Sequence, residues 1–300
     1  MNTTTIEVKL QTSFLFRAEI LSEIYHSIKK GFIEAGLPKP DGVVDLPAIS
    51  DRIRYIYNQD GLSPSTPNTF TTKSRYELPF GQTVTTKELG GQRPILFLLE
   101  SPHTAEVKHK QPASGSSGEA IQDYLAGLHQ LFQTVVQQPV ELNAARLIVA
   151  NPCRHPASCL AETTHWPDWR DHVFDRMMAR YDTQADFLNR LQCYNPRLII
   201  NACTGGNGHM TTQWTGEDKL QAIVETPKPK GIVRQLLNMK YGNKAKYHYH
   251  KFDPATGQFP REKTPTQVAA PVVDIVELHH PAQWLRAVDN YQKQNRFKKP

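Results

Sequence analysis

Four short and almost continuous apolar runs constrain the fold of this chain more than any other feature. Apolar runs of this length without polar alternation are typical of β-strands buried on both faces, as in parallel sheets. Helical patterns separate and follow them, which predicts a three-layer α/β/α domain around a central, mostly parallel, four-stranded sheet. The runs are PILFLLE from Pro94, ARLIVAN from Ala145, RLIINA from Arg197 and PVVDIVEL from Pro271. The helical patterns cover about 118 to 137, 170 to 192 and 229 to 239, with a last one from about 282.

The first third of the chain has a different pattern. Residues 13 to 36 carry apolar side chains at helical spacing and end at Gly36 before a proline, which predicts an amphipathic helix. A second short helix is predicted from Leu46 to Tyr57, and the Ser-, Thr-, Pro- and Gly-rich stretch from 58 to 92 predicts loops. We therefore expect a helical and loop extension over 1–92 packed on the main domain, the main domain over 93–290, and a basic tail over 291–300.

Composition and charge exclude several classes of protein. Of the 300 residues, 39% are hydrophobic and 21% are charged, and no apolar run approaches the length of a membrane span, which predicts a soluble protein without a membrane partner. The N-terminus MNTTTIEVKL lacks a secretory signal, which favours a cytoplasmic location. A net charge of +6 favours an anionic partner, and we expect a monomer. Four cysteines without a CxxC pair predict free thiols and no metal site: Cys153, Cys159, Cys193 and Cys203.

Polar residues follow each of the four predicted strands. The carboxyl ends of parallel strands meet at one edge of a sheet, and ligands of α/β proteins bind there. These residues therefore predict a functional site at that edge. The strands run into Glu100-Ser101-Pro102-His103, Asn151-Pro152, Asn201-Ala202-Cys203-Thr204 and His279-His280-Pro281.

The order of these strand ends resembles the uracil-DNA glycosylase superfamily. The resemblance is to the branch with a Gly-Glu-x-Pro-Gly-x-x-Glu motif, an Asn after the second strand and a His-Pro-x motif near the C-terminus. In this chain LESPHTAE, VAN and HHPA occupy those places, within residues 94 to 290. The resemblance implies a glycosylase fold and an enzyme that flips a nucleotide out of DNA, hydrolyses its N-glycosidic bond with water and leaves an abasic site. It implies no cofactor.

The resemblance also implies a role for each strand end. Glu100 matches the carboxylate that orients the attacking water and offsets positive charge on the sugar, and Asn151 matches the amide that reads the base edge. His280 matches the histidine that hydrogen-bonds the leaving base or a phosphate. Ser101, Pro102 and His103 would complete the base-binding set, and Glu106 matches the later motif glutamate.

These residue types suit that chemistry. A base must leave the stack before its glycosidic bond can be attacked, and an amide offers a donor and an acceptor to its edge. Bond cleavage places positive charge on the deoxyribose and negative charge on the base, so a carboxylate and a donor stabilise opposite ends. Each residue also has a simpler interpretation. Glu100 could be a capping carboxylate, Asn151 a turn former and Glu106 a surface charge. His279 competes with His280 and has the alternative of a histidine packed in the core.

Departures from the motif point to the substrate. Leu99 and His103 replace the two motif glycines, and His103 lies where some members screen the 5-position of the pyrimidine. The small-residue segment from Pro112 to Gly118 replaces the segment that supplies a stacking aromatic ring in close relatives. A wider pocket follows, which favours a modified pyrimidine such as the glucosylated hydroxymethylcytosine that anti-phage members of the superfamily remove. Uracil is the alternative substrate.

Residues 226 to 251 combine seven lysines and arginines with three tyrosines and no carboxylate. Such a stretch predicts a phosphate-binding surface, with an ordinary solvated face as the alternative. The candidate DNA-binding residues are Lys228, Lys230, Arg234, Lys244 and Lys246. Gln283 and Trp284 follow the His-Pro pair, where relatives carry a residue that wedges into DNA; core packing of Trp284 is the alternative.

Two functions from other classes stay open. The chain could be a nucleic-acid sensor without catalysis, or a hydrolase of free nucleosides or nucleotides. The CTGGNG loop after the third strand lacks the Lys-Ser/Thr of a P-loop, which argues against a nucleotide cofactor. The sequence places no motif lysine at the predicted site, which favours water rather than an amine as the nucleophile.

Overall fold

A computed structural model describes most of the chain from residue 49 onwards. None of the helices in the described ranges has the length and apolar character needed to cross a lipid bilayer. The helix predicted over 13 to 36 and the candidate Lys228 lie outside the described residues. The described residues are 49, 51–65, 92–109, 111–154, 174, 178, 181–204, 210–215, 219–225 and 229–296.

The centre of the fold is an eight-stranded sheet with the order β2-β1-β4-β3-β5-β10-β8-β9. Strands β4, β3, β5, β10 and β8 are parallel, and antiparallel strands extend both sides. A separate hairpin pairs β6 with β7. The strands are β1 (Arg52–Asn58), β2 (Gly61–Pro64), β3 (Ile95–Leu98), β4 (Arg146–Ala150), β5 (Leu198–Asn201), β6 (Met210–Thr215), β7 (Lys219–Glu225), β8 (Ala245–His250), β9 (Arg261–Lys263) and β10 (Val273–Glu277).

Helices cover both faces of this sheet. They are α1 (Thr104–His109), α2 (Ser116–Asp123), α3 (Leu125–Val135), α4 (Tyr181–Tyr194), α5 (Pro229–Tyr241) and α6 (Pro281–Arg296). Helices α4 and α5 contribute to the core on one face, and α2, α3 and α6 to the core on the other. The α/β class and the mostly parallel central sheet are therefore confirmed, and the four predicted strands are neighbours at its centre.

The direction of the chain explains why the helices divide between the faces. From β3 the chain passes through α2 and α3 to β4 on one side, and from β4 through α4 to β5 on the other side of β3. Right-handed crossovers that run in opposite directions along a sheet place their helices on opposite faces. The carboxyl ends of β3 and β5 consequently lie at a topological switch point, where α/β proteins bind their ligands.

The main sheet has eight strands rather than the four that were predicted. The predicted helix from Leu46 to Tyr57 was wrong. Residues 52–58 form β1, in which Ile53, Tyr55 and Tyr57 are buried and alternate with more exposed positions. This period of two matches a strand that packs one face on a core. Strand β2 was likewise predicted to be a loop. Both strands belong to the main sheet, so it begins well before residue 93.

Two further predictions need correction at the helices. The helix predicted over 118 to 137 is divided at Tyr124, where the backbone leaves helical geometry between α2 and α3. The basic tail predicted over 291–300 is helical through Arg296, because α6 continues to that residue. The rest of the tail lies beyond the described part of the chain.

Substitution of two helical glycines by alanine tests the packing of this fold. A Cβ atom at Gly127 in α3 would lie 2.3 Å from the carbonyl oxygen of Gly257, whereas one at Gly231 in α5 would meet nothing within 4 Å. We expect Gly127→Ala to lower the free energy of unfolding by about 1–3 kcal/mol, because helix and loop must separate. The control Gly231→Ala should raise it by up to about 1 kcal/mol through helix propensity. Urea denaturation measures both, and equal effects would contradict the packing described.

Candidate active site

The candidate site lies along the carboxyl edge of the four central strands. In the order of the sheet, β4 ends before Asn151, β3 before Glu100, β5 before Thr204 and β10 before His280. Neighbouring strands are about 4.8 Å apart, so the outermost pair of these four strands is separated by about 14 Å. The sequence predicted that these strand ends meet at one edge, and the order of the strands within the sheet comes from the structure.

Glu100 and Asn151 are in direct contact. The peptide N–H of Glu100 donates to Oδ1 of Asn151 at 3.3 Å, and the carbonyl of Glu100 accepts from the N–H of Cys153 at 3.2 Å. The hydroxyl of Thr204 donates to the Glu100 carboxylate. Glu100 is only 2% exposed and Asn151 only 1%. The sequence placed Thr204 at the end of the third predicted strand but gave it no role, because a threonine in a glycine-rich loop has no distinguishing pattern.

Hydrogen bonds hold Asn151 both at its side chain and at its backbone. Its Oδ1 atom accepts from Glu100, and its backbone carbonyl accepts from Nη2 of Arg190 at 3.1 Å. Its Nδ2 atom is buried without a partner in hydrogen-bond geometry among the described residues, although the side chain is near enough to Glu106 to lower the pKa of that carboxyl. The Nδ2 group of Asn151 is therefore held at the carboxyl edge, where it is able to donate a hydrogen bond.

Glu106 is buried at 5% exposure, so the alternative of a surface charge is wrong. Its carboxylate accepts from the N–H of His103 at 2.7 Å and from the N–H of Ala113 at 2.5 Å. Burial raises the pKa of Glu106 to about 7; the two backbone donors and Asn151 act against this rise, and Glu100 adds to it. Glu106 thus joins the loop after β3 to the segment before α2, beneath the site.

The base-binding candidates after Glu100 form the turn into α1. Ser101 and Pro102 are buried, and His103 is half-buried with its backbone held by Glu106. All three therefore lie beside Glu100 at the carboxyl edge. Their backbone is constrained by the same carboxyl group that approaches Asn151.

The small-residue segment from Pro112 to Gly118 is only partly open. Ala113 is buried with φ of 55°, and a Cβ atom at Gly118 would lie 1.9 Å from the carbonyl oxygen of Ala113. At these two positions, small size allows backbones to pack closely and leaves no space for a ligand. Residues 114 to 117 between them remain at least partly exposed.

Lys230, which belongs to none of the motifs, lies at this edge of the sheet. It follows the first residue of α5, its N–H donates to the carbonyl of Thr204 at 3.1 Å, and its Nζ atom donates to the carbonyl of Leu278. Burial lowers the pKa of Lys230, and the nearby Glu277 carboxylate raises it. Lys230 therefore connects the Thr204 loop to the loop that carries His280. Sequence reasoning placed it only in a DNA-binding stretch, because its link to β10 is tertiary.

The His280 loop is anchored on both sides. The indole Nε1 of Trp284 donates to the carbonyl of His279 at 2.9 Å, and the N–H of Gln283 donates to the carbonyl of His280 at 2.8 Å. Nδ1 of His280 accepts from the N–H of Ala282 at 3.4 Å, which directs the proton of a neutral ring to Nε2. His279 is exposed, so its alternative as a core histidine is wrong.

Trp284 is a core residue. It is 1% exposed and packs against an aromatic cluster, with ring centroids 4.9 Å from Phe259 and 5.7 Å from Phe252. The core-packing alternative is therefore the observed one. Gln283, next to it, is exposed at the start of α6 and retains its position as a candidate for DNA contact.

Compared with known proteins, the chain matches no protein-family model and no curated protein sequence. The interpretation of the site therefore depends on its residues and their geometry.

The predicted basic surface divides between two edges of the sheet. Lys244 and Lys246 lie at the start of β8, and β8 is parallel to β10, so both are at the edge opposite to Glu100. Arg234 is half-buried over Tyr247 and Tyr249, with its guanidinium carbon 5.0 and 5.4 Å from their ring centroids. The prediction of a single basic surface along 226–251 is therefore wrong, because the length of β8 separates Lys244 and Lys246 from the carboxyl edge.

Other basic residues occupy the carboxyl edge. Lys251 follows β8, and Arg261 on β9 pairs with His250 at the end of that strand. Both are exposed. Partial desolvation of its ring lowers the pKa of His279; the positive charge of Lys230 lowers it further, the Glu262 carboxylate raises it, and Lys251 lowers it. Positive charge therefore accompanies the site, through residues that differ in part from those predicted.

The described ranges contain no group of three or more His, Cys, Asp or Glu side chains able to hold a metal ion. The ring of His248 is hydrogen-bonded through Nε2 to Asp274 at 2.9 Å, and the ring of His250 through Nδ1 to the carbonyl of Phe259 at 2.7 Å. Cys153, Cys193 and Cys203 are free thiols, and Cys159 lies outside the described residues.

The buried Glu106 predicts a specific dependence of stability on pH. Because its pKa is raised from 4.5 to about 7 in the folded state, its proton stabilises the fold below pH 4.5, and this contribution is lost as the pH rises through 7. The loss corresponds to about 3 kcal/mol. Glu106→Gln should make the unfolding free energy less dependent on pH between 5 and 8, as measured by urea denaturation. The exposed Glu119→Gln should keep the wild-type slope, and the same slope in Glu106→Gln would contradict the prediction.

Proposed function

We propose that this protein is a monofunctional DNA glycosylase that hydrolyses the N-glycosidic bond of a flipped-out nucleotide. The observation that carries the proposal is the hydrogen bond from the backbone N–H of Glu100 to Oδ1 of Asn151, which holds together two residues, one with a carboxylate and one with an amide, at the ends of adjacent parallel strands. Each residue is nearly fully buried, where charge and hydrogen bonds act most strongly on a reacting group. The order of strand ends that resembles the uracil-DNA glycosylase superfamily supports the same reaction.

The chemistry follows from the positions of three side chains. Glu100 holds the attacking water and offsets the positive charge that develops on the deoxyribose as the bond breaks. Asn151 offers its Nδ2 donor to an acceptor on the base edge. His280, with its ring proton directed to Nε2, offers a donor to the departing base or to a phosphate. The water supplies the hydroxyl on the sugar carbon and the proton on the released base, and an abasic site remains.

Substrate entry requires a local rearrangement. Glu100 and Asn151 are 2% and 1% exposed, and the Glu100 carboxylate accepts from Thr204. The approach of a sugar and a water to the carboxylate would displace the Thr204 hydroxyl. Lys230 and its bonds to Thr204 and Leu278 connect this step to the His280 loop. Binding of DNA would therefore assemble the reactive arrangement from a closed one.

For the substrate we propose a modified pyrimidine in double-stranded phage DNA, such as glucosylated hydroxymethylcytosine, with uracil as the alternative. Residues 114 to 117 support a bulky base, because they are small and at least partly exposed above the turn held by Glu106. Ala113 and Gly118 pack closely and provide no space for the base. Removal of such a base from phage DNA would make the protein an antiviral defence enzyme.

Glu100→Gln tests the activity. The purified protein is incubated with duplex DNA containing uracil, and with phage DNA carrying unmodified, hydroxymethylated or glucosylated cytosine, and abasic sites and released bases are measured. We expect release from one modified substrate and a loss of at least about 100-fold in Glu100→Gln, because the charge opposite the sugar is removed. Asp60→Asn, which neutralises an exposed carboxylate in the turn between β1 and β2 at the opposite edge of the sheet, serves as the control and should keep full activity.

The outcomes separate the candidate functions. Release from uracil DNA alone would establish a repair enzyme in place of a defence enzyme. Tight DNA binding without release from any substrate would overturn the glycosylase in favour of a nucleic-acid sensor. Cleavage of free nucleosides with weak DNA binding would point to a nucleoside hydrolase.

The position of the basic residues predicts how salt affects DNA binding. Lys251→Gln and Arg261→Gln, at the carboxyl edge, should each weaken binding and reduce the slope of log affinity against log salt by about 0.9, because each loses one phosphate contact. Lys244→Gln, at the opposite edge, is the charge-matched control and should leave the slope unchanged. Fluorescence anisotropy with labelled duplex DNA measures the slopes. Equal slopes in all three variants would show that DNA binds elsewhere.

A further inference from the structure

A buried guanidinium lies directly behind the Asn151 turn. Nη2 of Arg190 in α4 donates to the carbonyls of Asn151 and Pro152 at 3.1 and 2.9 Å. Its Nη1 atom donates to both oxygens of Asp51 at 3.0 and 2.9 Å, and its Nε atom to Asp186 at 2.9 Å. Every nitrogen of this guanidinium is therefore engaged, and one of them holds the two peptides that carry the amide side chain.

The partners of Arg190 are themselves fixed. Asp51 also accepts from the hydroxyl of Tyr194 at 2.5 Å. Arg154, three residues after Asn151, donates to the carbonyl of Ile49 at 3.3 Å and lies 3.6 Å from Asp186. The N–H of Ile49 donates back to the carbonyl of Arg154 at 2.8 Å. The segment before β1 is consequently tied to the Asn151 turn from both sides.

Electrostatics favour one arrangement of these groups. Burial opposes the charge of Arg190, but Asp51 and Asp186 more than compensate and raise the pKa of its guanidinium. Burial lowers the pKa of Arg154, and the same two carboxylates act against this. A buried charge that loses a partner is strongly disfavoured, so the groups stay together or rearrange together. The direction of the two carbonyls is therefore set by Asp51, about a hundred residues earlier in the chain.

We infer that Asp51 is a positioning residue for base recognition, which acts through Arg190 to fix the direction of the Asn151 side chain relative to Glu100. The inference rests on the proposed function and deepens it. It gives a role to a segment that the sequence assigned to an extension outside the site. Because Asp51 precedes β1 and touches neither Glu100 nor Asn151 directly, its effect passes through the guanidinium and the two carbonyls it holds.

The opposite edge of the sheet supplies a matched comparison. Asp274 on β10 is also buried, accepts from Nη1 of Arg197 at 2.6 Å and bonds Nε2 of His248 at 2.9 Å. It has the same charge and degree of burial as Asp51, but it lies at the start of β10, away from the carboxyl edge. A purely structural role predicts equal consequences for the loss of either carboxylate.

The test compares Asp51→Asn with Asp274→Asn in the full chain. Activity is measured as kcat and KM on the preferred base and on unmodified cytosine, alongside the melting temperature. We expect Asp51→Asn to lower kcat by about 100-fold and to reduce discrimination between the bases, because a small misplacement of a recognition group weakens the transition state. Asp274→Asn should lower the melting temperature and leave discrimination unchanged. Equal discrimination in both variants would overturn the inference.

A second measurement needs no activity. Hydrogen exchange is followed at the amides of Glu100 and Cys153, which bond to the Asn151 side chain and to the Glu100 carbonyl. Asp51→Asn should speed exchange at both amides, and Asp274→Asn at neither. Unchanged exchange in Asp51→Asn overturns the positioning role even if the protein is a glycosylase. Faster exchange without base release on any DNA would leave the positioning intact and overturn the proposed function instead.

A milder variant covers the case in which Asp51→Asn does not fold. Tyr194→Phe removes one hydrogen bond to Asp51 and retains all charges. We expect the same pattern at smaller amplitude, with faster exchange at Glu100 and Cys153 and a loss of base discrimination. Wild-type values in both readouts would count against the inference.

Discussion

The burial of β3 on both faces is the constraint on which the rest of the structure depends. Residues 95 to 98 are almost completely inaccessible, with side chains that alternate between the two hydrophobic cores. A strand in this position needs neighbours on both sides and helices on both faces. The chain meets this need by passing to β4 on one side and to β5 on the other. The switch point at the end of β3 is a consequence of that path.

Because the polar groups at this switch point are buried, they need hydrogen-bond partners within the protein. Three buried carboxyl groups meet the requirement in different ways. Glu100 accepts from a threonine hydroxyl, Glu106 from two backbone N–H groups, and Glu277 from the Asn201 amide at 3.1 and 3.2 Å. Glu100 and Glu277 therefore each accept from a side chain, whereas Glu106 accepts from the backbone.

Much of the centre of the fold could be predicted from sequence. The four apolar runs are strands, they are adjacent, and their polar ends meet, because continuous burial leaves a clear pattern along the chain. The flanking strands were less accessible to prediction. Strand β1 has aromatic and polar residues that also fit a helix, and β8 lies within a basic stretch whose charges obscure its alternation. Both are recognised only through their pairing with central strands.

The sequence by itself determined the α/β class, the central strands and the residues that end them, since these depend on local periodicity and on which residues follow an apolar run. The tertiary structure decided which groups act on those ends. Asp51, Arg190 and Lys230 reach the site from distant segments, and Trp284 turns into the core, because each side chain goes where burial and pairing of its polar atoms are satisfied together. That condition depends on neighbours brought close by folding, which no local pattern records.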